Sequence, residues 1–233
     1  MGNLSTEQLF VTEAAKALLE NQEHSLFFNL SQYQLWDLGG VDALQLAKQL
    51  VGDVVAKIAP FQSLDVIFTG YQYSALRLGE DNFRLGLYGD LGAYGGLNFE
   101  ETIRFTIAEA SLSHPQAQTG LQAWARKCDR MNAKDTTASE CAISLTACCA
   151  IALSESVALD LLPKIAVVQP PHHLEGLQPN CAVAAKIDGV SVLIWRHQLL
   201  SLPVFELHTP VGDAEAIKVK LRDIQTSPTY WGH

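Results

Sequence analysis

CAVAAKIDGVSVLIWR, residues 181–196, places Asp188-Gly189 between two apolar runs. A two-residue hairpin turn needs positive φ at both central residues, and Asp-Gly supplies this with little strain. The stretch therefore predicts a β-hairpin. PVFELHT (203–209) and AIKVKLRDI (216–224) follow with alternating apolar residues and are expected to be further strands. Strands that succeed one another without intervening helices imply antiparallel pairing at the C-terminal end. Just upstream, KIAVVQ (164–169) reads as a strand and PPHHLEGLQPN (170–180) as a proline-rich loop.

The rest of the chain mixes helical and strand patterns. Ser5-Thr6-Glu7-Gln8 resembles a capping box that opens a helix to about Glu20. HSLFFNL (24–30) reads as a strand, and Gly39-Gly40 breaks the chain. Residues 41–59 carry Leu44, Ala47, Val51, Val54, Val55 and Ile58 on one helical face, with Pro60 as the stop. LDVIFTG (64–70) and FRLGLYG (83–89) are strand candidates. Asn98 with Glu101 caps an expected helix over 98–110, although the alternation in 101–109 also fits a strand. A helix is expected from His114-Pro115 through Met131. Another is expected over 135–153, with Cys148, Cys149 and other small residues on one broad face. The fold class expected is α/β or α+β: a mixed sheet covered by helices near 41–59 and 135–153, with an antiparallel C-terminal part. Residues 1–233 are read as one domain, with a soft boundary near 162–180.

Composition narrows the function. Of 233 residues, 48% are hydrophobic and 18% charged, which supplies a core and argues against disorder. A net charge of −9 argues against nucleic acid and against anionic membrane surfaces as partners. The longest apolar run, near LTACCAIAL (145–153), is far short of the roughly 20 residues that span a bilayer. The N-terminus lacks the basic start and apolar run of a signal peptide. Gly2 with Thr6 matches an N-myristoylation pattern that often arises by chance. Five cysteines, none in a C-x-x-C pair, point to a reducing compartment and hence to the cytoplasm.

Candidate sites follow from local chemistry. The first is the glycine loop, YGDLGAYGGLNFE (88–100), where Gly86, Gly89, Gly92 and Gly95 recur every third residue and Gly96 adds a fifth. Between a strand and a capped helix, its backbone N–H groups could cradle an anion. Yet the spacing is neither G-x-G-x-x-G nor a P-loop, and Asp90, Glu100 and Glu101 would repel phosphate; packing or a flexible turn explains the glycines as well. The second is TGYQYS, where Thr69, Tyr71, Tyr73 and Ser74 stand at a strand end, with loop-covering tyrosines as the plain alternative. The third is His172 and His173, one of which could act as a general base. Their spacing does not define a metal site, even with Cys181, His197 or His208 added. Cys148-Cys149 reads as core packing rather than as a nucleophile. The terminal Tyr230-Trp231 pair reads as docking on the body or as an interface.

Two functional classes remain open. In one, the chain binds a small polar metabolite, an anionic one included, at strand ends and the glycine loop, with a histidine moving a proton. In the other it is a non-catalytic assembly or interaction subunit. A homo-oligomer is expected in either. No motif names a cofactor.

Overall fold

The structure is a computed structural model that describes residues 25–28, 30, 33–68, 71–88, 123–128, 148–169 and 172–226. Its strands form two five-stranded sheets, and every strand pair among the described residues is antiparallel. The α+β reading holds, helices and an antiparallel C-terminal part included. The helix–strand rhythm around residues 41–70 belongs to an antiparallel sheet rather than to a βα unit.

The first sheet contains β1 (Tyr33–Gly39), β2 (Ser63–Phe68), β3 (Tyr71–Arg77), β4 (Asn82–Tyr88) and β5 (Trp124–Lys127), in the order β2-β3-β4-β1-β5. Its outer face is covered by α1 (Ala43–Val51). Ala43, Leu46, Ala47, Leu50 and Val51 make one buried stripe on α1. Gly52, at φ 94°, ends the helix and returns its N–H to Lys48 O at 2.8 Å. The helix expected to reach residue 59 therefore stops at 51, and a 3-10 turn over Asp53–Lys57 follows.

The second sheet contains β6 (Cys148–Ser154), β7 (Ala166–Val168), β8 (Cys181–Ile187), β9 (Val190–Leu199) and β10 (Leu202–Pro210), in the order β6-β10-β9-β8-β7. Helices α2 (Glu155–Ile165) and α3 (Ala214–Thr226) cover its outer face. Pro163 lies near the end of α2 and removes a helical N–H there. The expected hairpin is present: Asp188 and Gly189 have φ 49° and 84°, and β8 pairs with β9 from Ile187↔Val190 to Cys181↔Arg196.

Several expected elements are different. Residues 216–224 are helical, because Ala214, Ile217 and Leu221 recur at helical spacing and bury against the sheet while Val219 is left exposed. Within the helix expected over 135–153, Cys148–Ser154 is β6; within the one expected over 115–131, Trp124–Lys127 is β5. Lys164 and Ile165 belong to α2, so the strand expected over 164–169 reduces to Ala166–Val168. Residues 25–28 are not a strand; Phe28 gives its N–H to Ala152 O at 3.0 Å. The helices expected over 5–20 and 98–110, and the terminal aromatics, lie outside the described residues.

The inner faces of the sheets pack on each other, so the layers run helix, sheet, sheet, helices. At one end of this middle layer Tyr33, Leu35, Ala152, Leu199 and Val204 form an apolar cluster; at the other, Leu76, Ala182 and Trp195 do. A corner ties the sheets together: Ser63 N–H bonds Asn180 O, and Ala182 N–H bonds Phe61 O, both at 2.8 Å. Between the two apolar ends lies a polar centre.

Candidate functional site

Strand alternation builds this centre. On β10, Phe205 and Leu207 point to the helices, so Val204, Glu206 and His208 point to the first sheet. On β9, Trp195, His197 and Leu199 share that inner face. The first sheet answers with Tyr33 and Asp37 from β1, Ser63 and Asp65 from β2, Ser74 from β3 and Arg84 from β4.

Glu206 sits at the middle with its side chain fully buried. Its Oε2 accepts hydrogen bonds from the Tyr33 hydroxyl at 3.1 Å and from His208 Nε2 at 2.8 Å. Its Oε1 stands 3.0 Å from His197 Nε2, off the line of a hydrogen bond, so that contact is an electrostatic pairing. Arg84 Nη1 donates to His208 Nδ1 at 3.0 Å. The same guanidinium grips Asp37 with two hydrogen bonds, at 2.7 and 3.0 Å. On the far side of His197, Asp65 Oδ1 is 3.5 Å from Nδ1. The Trp195 ring stacks on His197 with centroids 3.9 Å apart and gives its indole N–H to Ser63 Oγ at 2.8 Å.

These neighbours set opposite protonation states on two histidines. His197 has a carboxylate oxygen at each ring nitrogen. Burial pulls its pKa down, but Glu206 and then Asp65 outweigh this and raise it from 6.5 to about 9. His208 has a carboxylate at one nitrogen and an N–H donor at the other, which suits only the neutral Nε2–H tautomer. Burial, reinforced by the Arg84 charge, keeps its pKa below 6.5. Burial alone would raise Glu206, yet the His197 charge holds it well below the usual carboxylate range. Burial pushes the Cys128 and Cys148 thiols up to about 12 and about 11, so neither is a thiolate nucleophile at neutral pH.

Of the expected site residues that are described, Tyr71, Tyr73 and Ser74 lie in the first sheet and His172 and His173 beside a separate cleft. β2 ends at Phe68, but Tyr71, Tyr73 and Ser74 are not at that strand's end: they belong to β3, which pairs antiparallel with β2. Tyr73 is buried in the core under α1, and Ser74 Oγ reaches Gln198 O at 3.5 Å across the sheets. Thr69, Gly89, Gly92, Gly95 and Gly96 lie outside the described residues. Gly86, the first of the glycine series, is within β4, where a Cβ would stand 2.0 Å from the Tyr33 hydroxyl. His172 and His173 are exposed and line an open cleft of about 430 Å³ with Pro163, Val167 and Glu175. His197 and His208 instead face Glu206 between the sheets, and Cys181 begins β8. Among the described residues no group of three His, Cys, Asp or Glu side chains is arranged to hold a metal ion, and no helix is long and apolar enough to cross a membrane.

No protein-family model matches the chain, and no curated protein is significantly similar in sequence. Solved structures are similar in fold. A chain of the heterotetrameric sarcosine oxidase from Corynebacterium sp. U-96, in complex with pyrrole 2-carboxylate, superposes with a TM-score of 0.53 at 15% identity, over 86% of this chain and 84% of that one. Glycine cleavage system aminomethyltransferase T from Bartonella henselae superposes with a TM-score of 0.47 at 15% identity, over 82% of this chain; the match spans 44% of that protein's length.

Proposed function

We propose that this chain is a subunit of a multi-chain assembly that handles a small polar metabolite, and that it contributes architecture rather than the reacting groups. One observation carries this reading: the histidines and the glutamate at the centre are buried and paired. His197 and Glu206 have fully buried side chains and His208 is 1% exposed, so these groups are turned to one another rather than to solvent. The thiols near them are held protonated. A nearly end-to-end likeness to one chain of a heterotetrameric enzyme supports the subunit role, at the level of fold. Free thiols at Cys128, Cys148, Cys149 and Cys181 fit a reducing, cytoplasmic setting.

The cleft favours a second reading, in which the chain itself holds the metabolite. His172 and His173 flank this cleft, and either could bind an anionic group or move a proton. Thr69, Tyr71 and the loop of Gly89, Gly92, Gly95 and Gly96 stay with this reading; the buried Tyr73 and Ser74 leave it.

Native mass spectrometry of the untagged protein from its own host separates the two. Stoichiometric association with an unlike chain is the expected result. A homo-oligomer or monomer that carries a small extra mass, lost in His172→Ala/His173→Ala, supports the second reading. A bare monomer refutes both.

A further inference from the structure

The two sheets each have their own apolar core against their own helices, yet their shared middle is charged. Buried ion pairs seldom add net stability over well-packed apolar groups, so this layer needs another reason to exist. The position of His197 offers one. Its Nδ1 faces Asp65 of β2, in the first sheet, and its Nε2 faces Glu206 of β10, in the second. Only an imidazole with both nitrogens protonated carries the positive charge that pairs with both carboxylates and leaves no lone pair toward either. Once a proton is lost, the pairing charge is gone and a nitrogen lone pair of the buried imidazole confronts a carboxylate.

We propose that His197 is a proton-operated latch: protonated, it pins β2 of the first sheet to β10 of the second, and deprotonated, it lets the sheets part locally at Trp195. Every charged or titratable group around it enters the argument. From β2 comes Asp65; from β10, Glu206 and, beyond it, His208; from β1, Tyr33, whose hydroxyl donates to Glu206; from β4, Arg84, bound to His208 and Asp37. Three of these are carboxylates, and His197 and Arg84 are the only cations described among them. His208 cannot substitute for His197, because the Arg84 N–H already fills its second nitrogen. Trp195, stacked on His197 and bonded to Ser63 of the first sheet, reports the latch directly.

The test follows near-ultraviolet circular dichroism of the full chain from pH 6 to 10.5, with the far-ultraviolet signal as a control for global unfolding. The expected result is a loss of the aromatic signal with a midpoint near the raised pKa of about 9, while the far-ultraviolet signal holds. His197→Gln should abolish this transition. Should that variant not fold, Asp65→Asn serves instead: removal of one of the two facing carboxylates should lower the midpoint by about 1 pH unit. An aromatic signal that stays flat through pH 10.5, a transition that survives in His197→Gln, or a midpoint that ignores Asp65→Asn overturns the proposal.

Discussion

Replacement of Gly86 by alanine tests the polar centre through a single methyl group. Glycine in a strand interior ordinarily weakens the strand by ~0.5–1 kcal/mol relative to alanine. At position 86 the sign should reverse. A Cβ there would lie 2.0 Å from the Tyr33 hydroxyl oxygen, 2.6 Å from Cζ and 2.9 Å from Cε2. Two of those atoms belong to the ring, so rotation of the hydroxyl does not relieve the clash. The ring itself must move, and it is packed in the apolar cluster between the sheets. Overpacking of this kind costs about 1–3 kcal/mol. Displacement of the ring also breaks the hydrogen bond from Tyr33 to the Glu206 carboxylate, and a bond to a charged group contributes ~1.5–3 kcal/mol. The total expected for Gly86→Ala is on the order of 3 kcal/mol, read from urea unfolding near pH 6.5. Tyr33→Leu in the same assay removes the obstructing ring. In that background Gly86→Ala should become neutral or mildly stabilising, a coupling of about 2 kcal/mol or more in the double-mutant cycle. If Gly86→Ala costs less than about 0.5 kcal/mol in the wild-type background, or costs the same in both backgrounds, the role given to Tyr33 is wrong.

Other perturbations read other parts of the centre. Glu206→Gln removes the carboxylate between the two histidines and strands the His197 charge; a loss of about 3–5 kcal/mol in urea unfolding is expected, and a loss below ~1 kcal/mol would contradict the pairing. His208 has a folded pKa below its ordinary 6.5, so the unfolded chain takes up that proton first as pH falls. Stability should therefore drop from pH 6.5 toward pH 5, and His208→Gln should flatten that limb of the urea midpoint profile; a slope unchanged in the variant would assign the limb to other groups. Leu200 and Ser201 form the β9–β10 turn with φ 50° and 65°, a left-handed pair without glycine. Ser201→Gly should relieve part of this strain and raise stability by about 0.5–1 kcal/mol, seen as a higher Tm; a lower Tm would place the turn's stability elsewhere.

Much of the second sheet was legible because its signals are local. Asp188-Gly189 specifies its hairpin by turn geometry, and the apolar alternation of β8 and β9 needs no distant partner to be recognised. The strands at 63–68 and 82–88 were equally visible as short apolar runs. Misreadings arose where two periods fit the same residues. In 216–224, Ile217, Val219 and Leu221 alternate like a strand, while Ala214, Ile217 and Leu221 also stack on a helix face; burial against the second sheet decides for the helix. Cys148–Ser154 is rich in small residues that suit a buried helix, yet it pairs with β10, and its small inner side chains belong to the apolar cluster between the sheets.

The candidate site was harder to foresee, for a different physical reason. PVFELHT alternates apolar with polar residues, and a half-polar strand normally turns its polar face to water. By itself the sequence determined that Val204, Glu206 and His208 share one face of a strand, since that is a matter of backbone geometry. Only the tertiary structure decided that this face is covered by the first sheet, which carries Tyr33, Asp65 and Arg84. A histidine's protonation depends on what stands within a few ångströms of each nitrogen. Glu206 is near both histidines in the chain, but the neighbours that distinguish them, Asp65 and Arg84, stand 132 and 124 residues away, so no local pattern could have told the charged His197 from the neutral His208.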